Sequence, residues 1–570
     1  MRKGTIGVRP AVFCFTLAVA MWASAARENS YAQERPKAAV FYMHGRIYTN
    51  DPASPWAEAM AVADGKITCI GKMAHVLLDC GGSQEGAETV PLHEQFVMPG
   101  FNDAHVHLGS AGADALSVEL RGVTSPQEMQ KRVAEAVAHH KEGEWITGSG
   151  WDHTLWPDKR FPNHQQLDPV APKNPVLLTH ISGHVAVANS LALKIAEIDK
   201  STPNPPGGEI EHDGLGEPTG MLKEDTAMAL VRVRIPDPSM EERRRGIEIV
   251  LQNVARNGVT SVQDNSAWED FQVYQELKEE GKLTARITEW LHFNDSLDDL
   301  QNRRAQGGTT DLWLKTGALK AVTDGALGSR TAAMLEPYSD DPSTTGIFTY
   351  DPDKLRAMAI ERDKAGFQLN FHAIGDRANR ICLDVFQAVV KANGRRDRRD
   401  RIEHAQVVAP TDFKRFAELK VIASMQPSHQ TTDMRWAEDR IGSERIKGAY
   451  AWNTMLKNGV SLAFGTDYPV EPISPFRGLY ACVTRERPEG GPRKGWEPQE
   501  KISLEDCIRA YTSGSAYAQF EEGKKGELRV GEYADFLILS DELTKIPPSQ
   551  YTKVRVLRTV VGGKTMYQGN

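Results

Sequence analysis

The middle of this 570-residue chain alternates short apolar runs with helical patterns, and that alternation constrains the fold more than any other feature. Val259 to Gln263, Arg286 to Leu291, Leu314 to Val322, Gln368 to Phe371, Arg401 to Glu403, Val421 to Met425 and Ser461 to Phe464 read as strands. Strands separated by helices form βα units and a parallel sheet. The run Phe96-Val97-Met98, ahead of a Pro-Gly turn and His105, makes eight. Eight units predict an α/β fold, a TIM (β/α)8 barrel, with its chemistry at the C-terminal strand ends. The spacing breaks once, after the first strand, where about 150 residues intervene, too many for a plain connection. Residues 109 to 255 are therefore expected to form an insertion with its own structure over a distorted barrel.

Both ends are β-rich. Val40 to Met43, Arg46 to Tyr48 and Lys66 to Ile70 are strand-like runs punctuated by His44-Gly45, Asp64-Gly65 and Gly71. Gly526 to Leu528, Ala534 to Leu539 and Val554 to Leu557 repeat the pattern, and Val561 to Lys564 reads as a hairpin turn. Residues 38–95 and 526–570 are expected to assemble one small composite β-sandwich. The barrel would run from 96 to 485, with its last helices in 486–525.

The N-terminus reads as an export signal. Arg2, Lys3 and Arg9 precede the apolar run Ala11 to Ala25, and small-residue cleavage patterns follow at Ala25 and Ala32. Residues 1–32 are expected to be removed, leaving a periplasmic or extracellular protein without a membrane span; a retained anchor is the alternative. The formal charge is -8, and the basic run Arg395-Arg396-Asp397-Arg398-Arg399 is interrupted by acid, so it reads as a solvated loop and nucleic acid is not an expected partner. Outside the signal, the five cysteines are too scattered for a disulfide scaffold, although Cys69 and Cys80 could pair. No Cys-x-x-Cys is present, which disfavours cysteine-ligated zinc.

The chemistry-bearing residues gather where a barrel would use them. In Met98 to Gly109, His105 and His107 stand two apart, so on extended backbone they share a side and could close on one ion. Three later strands end in Asn370-Phe371-His372, Arg401-Ile402-Glu403-His404 and Phe464-Gly465-Thr466-Asp467. The fourth strand carries Lys320 and Asp324. Four imidazoles and a carboxylate suit a divalent ion such as zinc.

The chain resembles the amidohydrolase superfamily of metal-dependent hydrolases, and within it the amidohydrolase-3 (YtcJ-like) branch. The resemblance spans nearly the whole mature chain. It rests on Met98 to Gly109, Gly148-Ser149-Gly150-Trp151-Asp152, Gly183-His184, Asn189 to Leu193, Gly220 to Glu224, Asp324 to Ala332, Phe464 to Val470 and Gly531 to Phe536. It implies that His105, His107 and Asp467 hold one metal and that His372 and His404 hold a second. It further implies that Lys320 is carboxylated and bridges the two. Alternatives are an uncarboxylated Lys320 paired with Asp324 over a single ion, or bridging by Glu224.

The implied activity is hydrolysis of a carbon-nitrogen bond other than a peptide bond, of amide or N-substituted formamide type. The ion would activate water, and Asp467 would take its proton and pass it to the leaving nitrogen. No Gly-x-Ser-x-Gly elbow supplies a rival nucleophile. Deamination or ester and lactone hydrolysis on the same metals is the alternative, and a non-catalytic scaffold a further one. A small-molecule substrate is expected, contacted by His184, Trp151, Asp152, His429 and Arg330. A homo-oligomer is the family's habit.

Overall fold

The computed structural model describes Met1 and residues 39–569, apart from 84–86 and 182; the expected export signal, past Met1, lies outside the described residues. Eight parallel strands follow one another in chain order around a single sheet. They are β1 (Phe101–Val106), β2 (Val259–Asp264), β3 (Arg286–His292), β4 (Leu314–Val322), β5 (Leu369–Ala373), β6 (Arg401–His404), β7 (Ile422–Met425) and β8 (Leu462–Phe464). β1, β2, β6 and β7 are buried along their whole length, as strands between a filled interior and a helical layer must be. The ring is drawn together just past β8: Asp467 N–H donates to His105 O and His107 N–H to Tyr468 O, both at 2.8 Å. A TIM barrel is thus present, and seven of the eight expected strands, β2 to β8, lie within two residues of their expected limits.

One assignment needs correcting. Phe96–Pro99 belongs to a different sheet, pairing in parallel with Arg46–Tyr48 and antiparallel with Phe536–Leu539. The barrel begins after Gly100, where a Cβ would fall 2.2 Å from the Thr260 side chain, so only glycine passes. Both the run before Gly100 and the run after it are fully buried, so apolar character alone could not say which one the barrel uses.

Phe96–Pro99 sits at the centre of a six-stranded sheet built from both chain ends, and a four-stranded sheet of residues 40–91 accompanies it. Tyr42, Met60 and Ile67 of the second sheet share an apolar core with Val97, Phe536 and Val560 of the first.

The insertion is entered and left through two packed helices, α1 (Leu108–Leu116) and α2 (Met240–Arg256). They touch backbone to backbone: a Cβ on Gly246 would lie 2.4 Å from Gly112 O. Between them, six strands from Val118 to Lys223 form a mixed sheet. Its two faces bury separate cores, one around Trp151, Trp156 and Leu178, the other around Ala192, Leu222 and Met228.

Among the described residues two disulfides are formed, Cys69–Cys80 and Cys482–Cys507, and Cys382 is free and buried. The expected pair is present; the second was not foreseen, because its cysteines lie on separate helices that meet only in the fold. The arginine run is only partly a solvated loop: Arg395, Arg396 and Asp397 are exposed, but the rest is not. Arg398 and Arg399 are buried, Arg396 and Arg398 both grip Asp363, and Arg399 grips Asp397 and Glu522. Their carboxylate partners are mostly distant in sequence, which is why the run looked unpaired. Among the described residues, no helix is long and apolar enough to cross a membrane.

Candidate metal centre

The strand ends bring five of the six candidate ligands to one place. His105, the penultimate residue of β1, is fully buried. Its Nδ1–H donates to Glu403 Oε2 at 2.7 Å, which leaves Nε2 directed at Lys320 Nζ (3.2 Å) and Asp467 Oδ1 (3.6 Å). His107 donates from Nδ1 to Asn265 O at 3.0 Å, and its Nε2 lies 3.0 Å from Asp467 Oδ1. His404 donates from Nδ1 to Gln426 Oε1 at 2.8 Å. In each case a partner on one ring nitrogen fixes the tautomer and frees the other, the arrangement that prepares imidazole for a metal.

Asp467 is the hub. Ligand atoms of His105, His107 and Asp467 lie within 4.8 Å of one another, as do those of His404, His429 and Asp467. His429 Nε2 is 3.5 Å from Asp467 Oδ2. Despite these approaches, Asp467 Oδ1 and His429 Nε2 are buried and make no hydrogen bond of acceptable geometry among the described residues. Buried polar atoms are rarely left so. Donors that converge without bonding one another suit a shared cation, so the residues present fit a divalent metal. Asp467 (φ 61°) and His404 (φ 71°) both hold left-handed backbone. Such strain in non-glycine residues concentrates at functional sites.

The electrostatics agree. Burial would raise the Asp467 carboxyl, but contact with His107 and the imidazoles of His404 and His429 hold it well below its usual range. Burial keeps His105 and His404 neutral. Lys320, buried inside β4, is lowered by burial to about 8. Its expected alternative partner is engaged elsewhere: Asp324 accepts the backbone N–H groups of Ala333, Ile374 and Gly375. His372 packs its ring edge-on against His404, but its Nε2 faces Gly325 O and Asp324 Oδ1, each at 3.3 Å.

A model of the amidohydrolase family matches residues 88–567. The chain belongs to the amidohydrolase family. Similar proteins include LONG AFTER FAR-RED 3 of Arabidopsis thaliana, 38% identical over 92% of this chain and 91% of that one. YtcJ of Bacillus subtilis is 32% identical over 92% and 98%. N-substituted formamide deformylase of Arthrobacter pascens is 28% identical over 92% and 98%. A solved metal-dependent hydrolase of Pyrococcus furiosus superposes with a TM-score of 0.73 at 30% identity, over 90% of this chain and all of that one. This amidohydrolase is accordingly a YtcJ-like, metal-dependent hydrolase, not an inert barrel.

The residues expected to contact substrate fare differently. Only His429, in the short helix after β7, joins the centre of the amidohydrolase. Trp151 is fully buried in the core of the insertion, its indole N–H donating to Leu178 O at 2.9 Å. Asp152 caps the turn at Thr154. His184 is exposed on the insertion, with Nδ1 3.1 Å from Glu224 Oε2. The Arg330 guanidinium already embraces Asp340 through two bonds of 3.0 and 2.9 Å, so its fork is not free for a substrate carboxylate. A cavity of about 640 Å³ does reach Lys320, and Asn265, His292, Tyr350, Asp351 and Lys354 line it.

Sequence reasoning overlooked the residues that orient the ligands. Glu403 and Gln426 were both in view, next to His404 and near His429, but neither has a ligand's position along its strand. Asp103 was also passed over. It accepts from Thr466 N, Thr466 Oγ1 and His105 N, pinning β1 to the turn that carries Asp467.

Proposed function

We propose that this amidohydrolase cleaves a carbon-nitrogen bond other than a peptide bond in a small molecule, of amide or N-substituted formamide type. The observation that carries the reading is Asp467, whose Oδ1 faces His105 and His107 and whose Oδ2 faces His429, with His404 gathered beside the last two. The name and 28% identity of the formamide deformylase support the substrate class. A divalent ion, which we take to be zinc, would be held by His105, His107 and Asp467, with His404 and His372 or His429 serving a second. When bound it would polarise the scissile carbonyl and make a water molecule acidic enough to attack.

The chain's own residues do the rest. Asp467 stays ionised at neutral pH, so it can take the proton of the attacking water and return it to the departing nitrogen. His105 and His107 keep their Nε2 lone pairs inward because Glu403 and Asn265 hold the opposite ring edges. Lys320 Nζ stands 3.2 Å from His105 Nε2, where an ammonium would repel a cation. Carboxylation by carbon dioxide would replace that charge with two ligand oxygens. Substrate would enter through the cavity that reaches Lys320, where Asp351, Lys354 and Tyr350 offer polar handles.

The test is a substrate panel: N-substituted formamides, simple N-acyl amines, amino-heterocycles and lactones. Release of amine from the first two, abolished by chelation and restored by zinc, is the expected result. Turnover confined to amino-heterocycles or lactones would overturn the amide assignment. We further propose that the protein is exported. The disulfides Cys69–Cys80 and Cys482–Cys507 support an oxidising compartment. N-terminal sequencing of protein from fractionated cells would show a start after residue 32.

A further inference from the structure

The insertion carries a second group of metal-ligating side chains that shares no residue with the barrel centre. Ligand atoms of Asp152, His153 and His180 lie within 4.8 Å of one another. The sheet explains their meeting. Strands Ile146–Trp151 and Val176–His180 run side by side in parallel, and Trp151 is in register with His180. Asp152 and His153 therefore emerge next to the end of the neighbouring strand.

The rings are held in place. His180 packs edge-on against Trp151 with centroids 4.6 Å apart, and His153 lies against Phe161 at 4.2 Å. The carboxylate is held as well, since Asp152 Oδ1 accepts from Thr154 N at 2.9 Å and Thr154 Oγ1 at 2.7 Å. His180 Nε2 stands 3.9 Å from Asp152 Oδ1, too far for a hydrogen bond but suited to two ligands of one ion. His153 Nδ1 is buried and has no hydrogen-bond partner among the described residues. The side chains of His180 and Asp152 keep 12% and 22% of their exposure, so an ion could enter and retain water.

We propose that Asp152, His153 and His180 form a second divalent-metal site, of the zinc class, that ties the turn after Trp151 to the end of the strand at His180. Two imidazoles and one carboxylate fill three positions of a tetrahedral ion and leave the fourth to water. The site stands whether or not the proposed substrate class is right.

The test measures metal on the full chain, reconstituted with zinc and dialysed, by elemental analysis. His153→Asn and His180→Asn are each expected to bind about one ion fewer than the parent, and Asp152→Asn, whose side chain can still cap Thr154, to bind that ion at least tenfold more weakly. An Asp467→Ala chain should retain an ion that it loses when His153→Asn is added. Circular dichroism identifies any variant that fails to fold, and the result is then read from Asp152→Asn. Equal zinc content and affinity in the parent and the folded variants would overturn the site.

Discussion

Glu403 Oε2 lies 2.7 Å from His105 Nδ1, and both side chains are sealed from solvent. The same carboxylate pairs through Oε1 with Arg401 at 2.8 Å and accepts from Ser424 at 2.7 Å. Glu403 thus links a candidate metal ligand to a buried cation. Partners of this kind usually govern metal affinity by about 10–100-fold. Glu403→Gln keeps the shape but removes the charge. Zinc affinity, read by competition with a chromophoric chelator, should fall by that factor, with a lower unfolding midpoint because Arg401 loses its counter-ion. Unchanged affinity would make the contact structural.

Asp467→Asn removes the proton carrier but keeps an oxygen ligand. The turnover number should fall by about 10²–10⁴, more than metal content does. If activity tracks metal occupancy instead, Asp467 is a ligand only and the proton goes elsewhere.

Lys320→Ala separates a bridged centre from a single-ion one. Metal content should drop from about two ions in the barrel to one or fewer, counted in a chain that also carries His153→Asn. One barrel ion in both proteins would leave Lys320 with a structural role.

Glu521 predicts a pH effect remote from the centre. It is buried between Lys315 (2.6 Å) and Lys525 (2.7 Å). Burial pushes its carboxyl up, but Lys525 and Lys315 together bring it down to about 2. A depressed carboxylate stabilises the fold above its unfolded value of about 4.5 and loses that contribution as pH falls toward 2. Glu521→Gln strands two buried ammonium groups and should cost about 3–5 kcal/mol at pH 7. Urea midpoints at pH 7 and pH 3 should differ less in the variant than in the parent.

Several features of the centre were legible in the residues. His105, His107, His404 and Asp467 could be placed because each follows an apolar run, and a barrel collects such ends on one face. Lys320 was legible as a lysine inside a buried strand. His429 was noticed as a residue at the mouth, but its approach to Asp467 depends on the helix after β7 turning back over the centre. Arg330 and Trp151 misled because side chains that can bind substrate can also satisfy the protein. Asp340 takes the fork of one and the insertion core takes the ring of the other.

Apolar periodicity, strand-end chemistry and motif order were sufficient for the α/β class, seven of the eight strands, the insertion after the first and the composite β-rich ends. Those features are local, or repeat along the chain, so neighbouring residues carry them. Tertiary structure alone decided that Phe96–Pro99 leaves the barrel for Phe536–Leu539, that Cys482 meets Cys507, that Glu403 orients His105, and that Asp152, His153 and His180 converge. Each of these pairings joins separate elements, and partner choice rests on shape and charge complementarity that no stretch of sequence contains by itself.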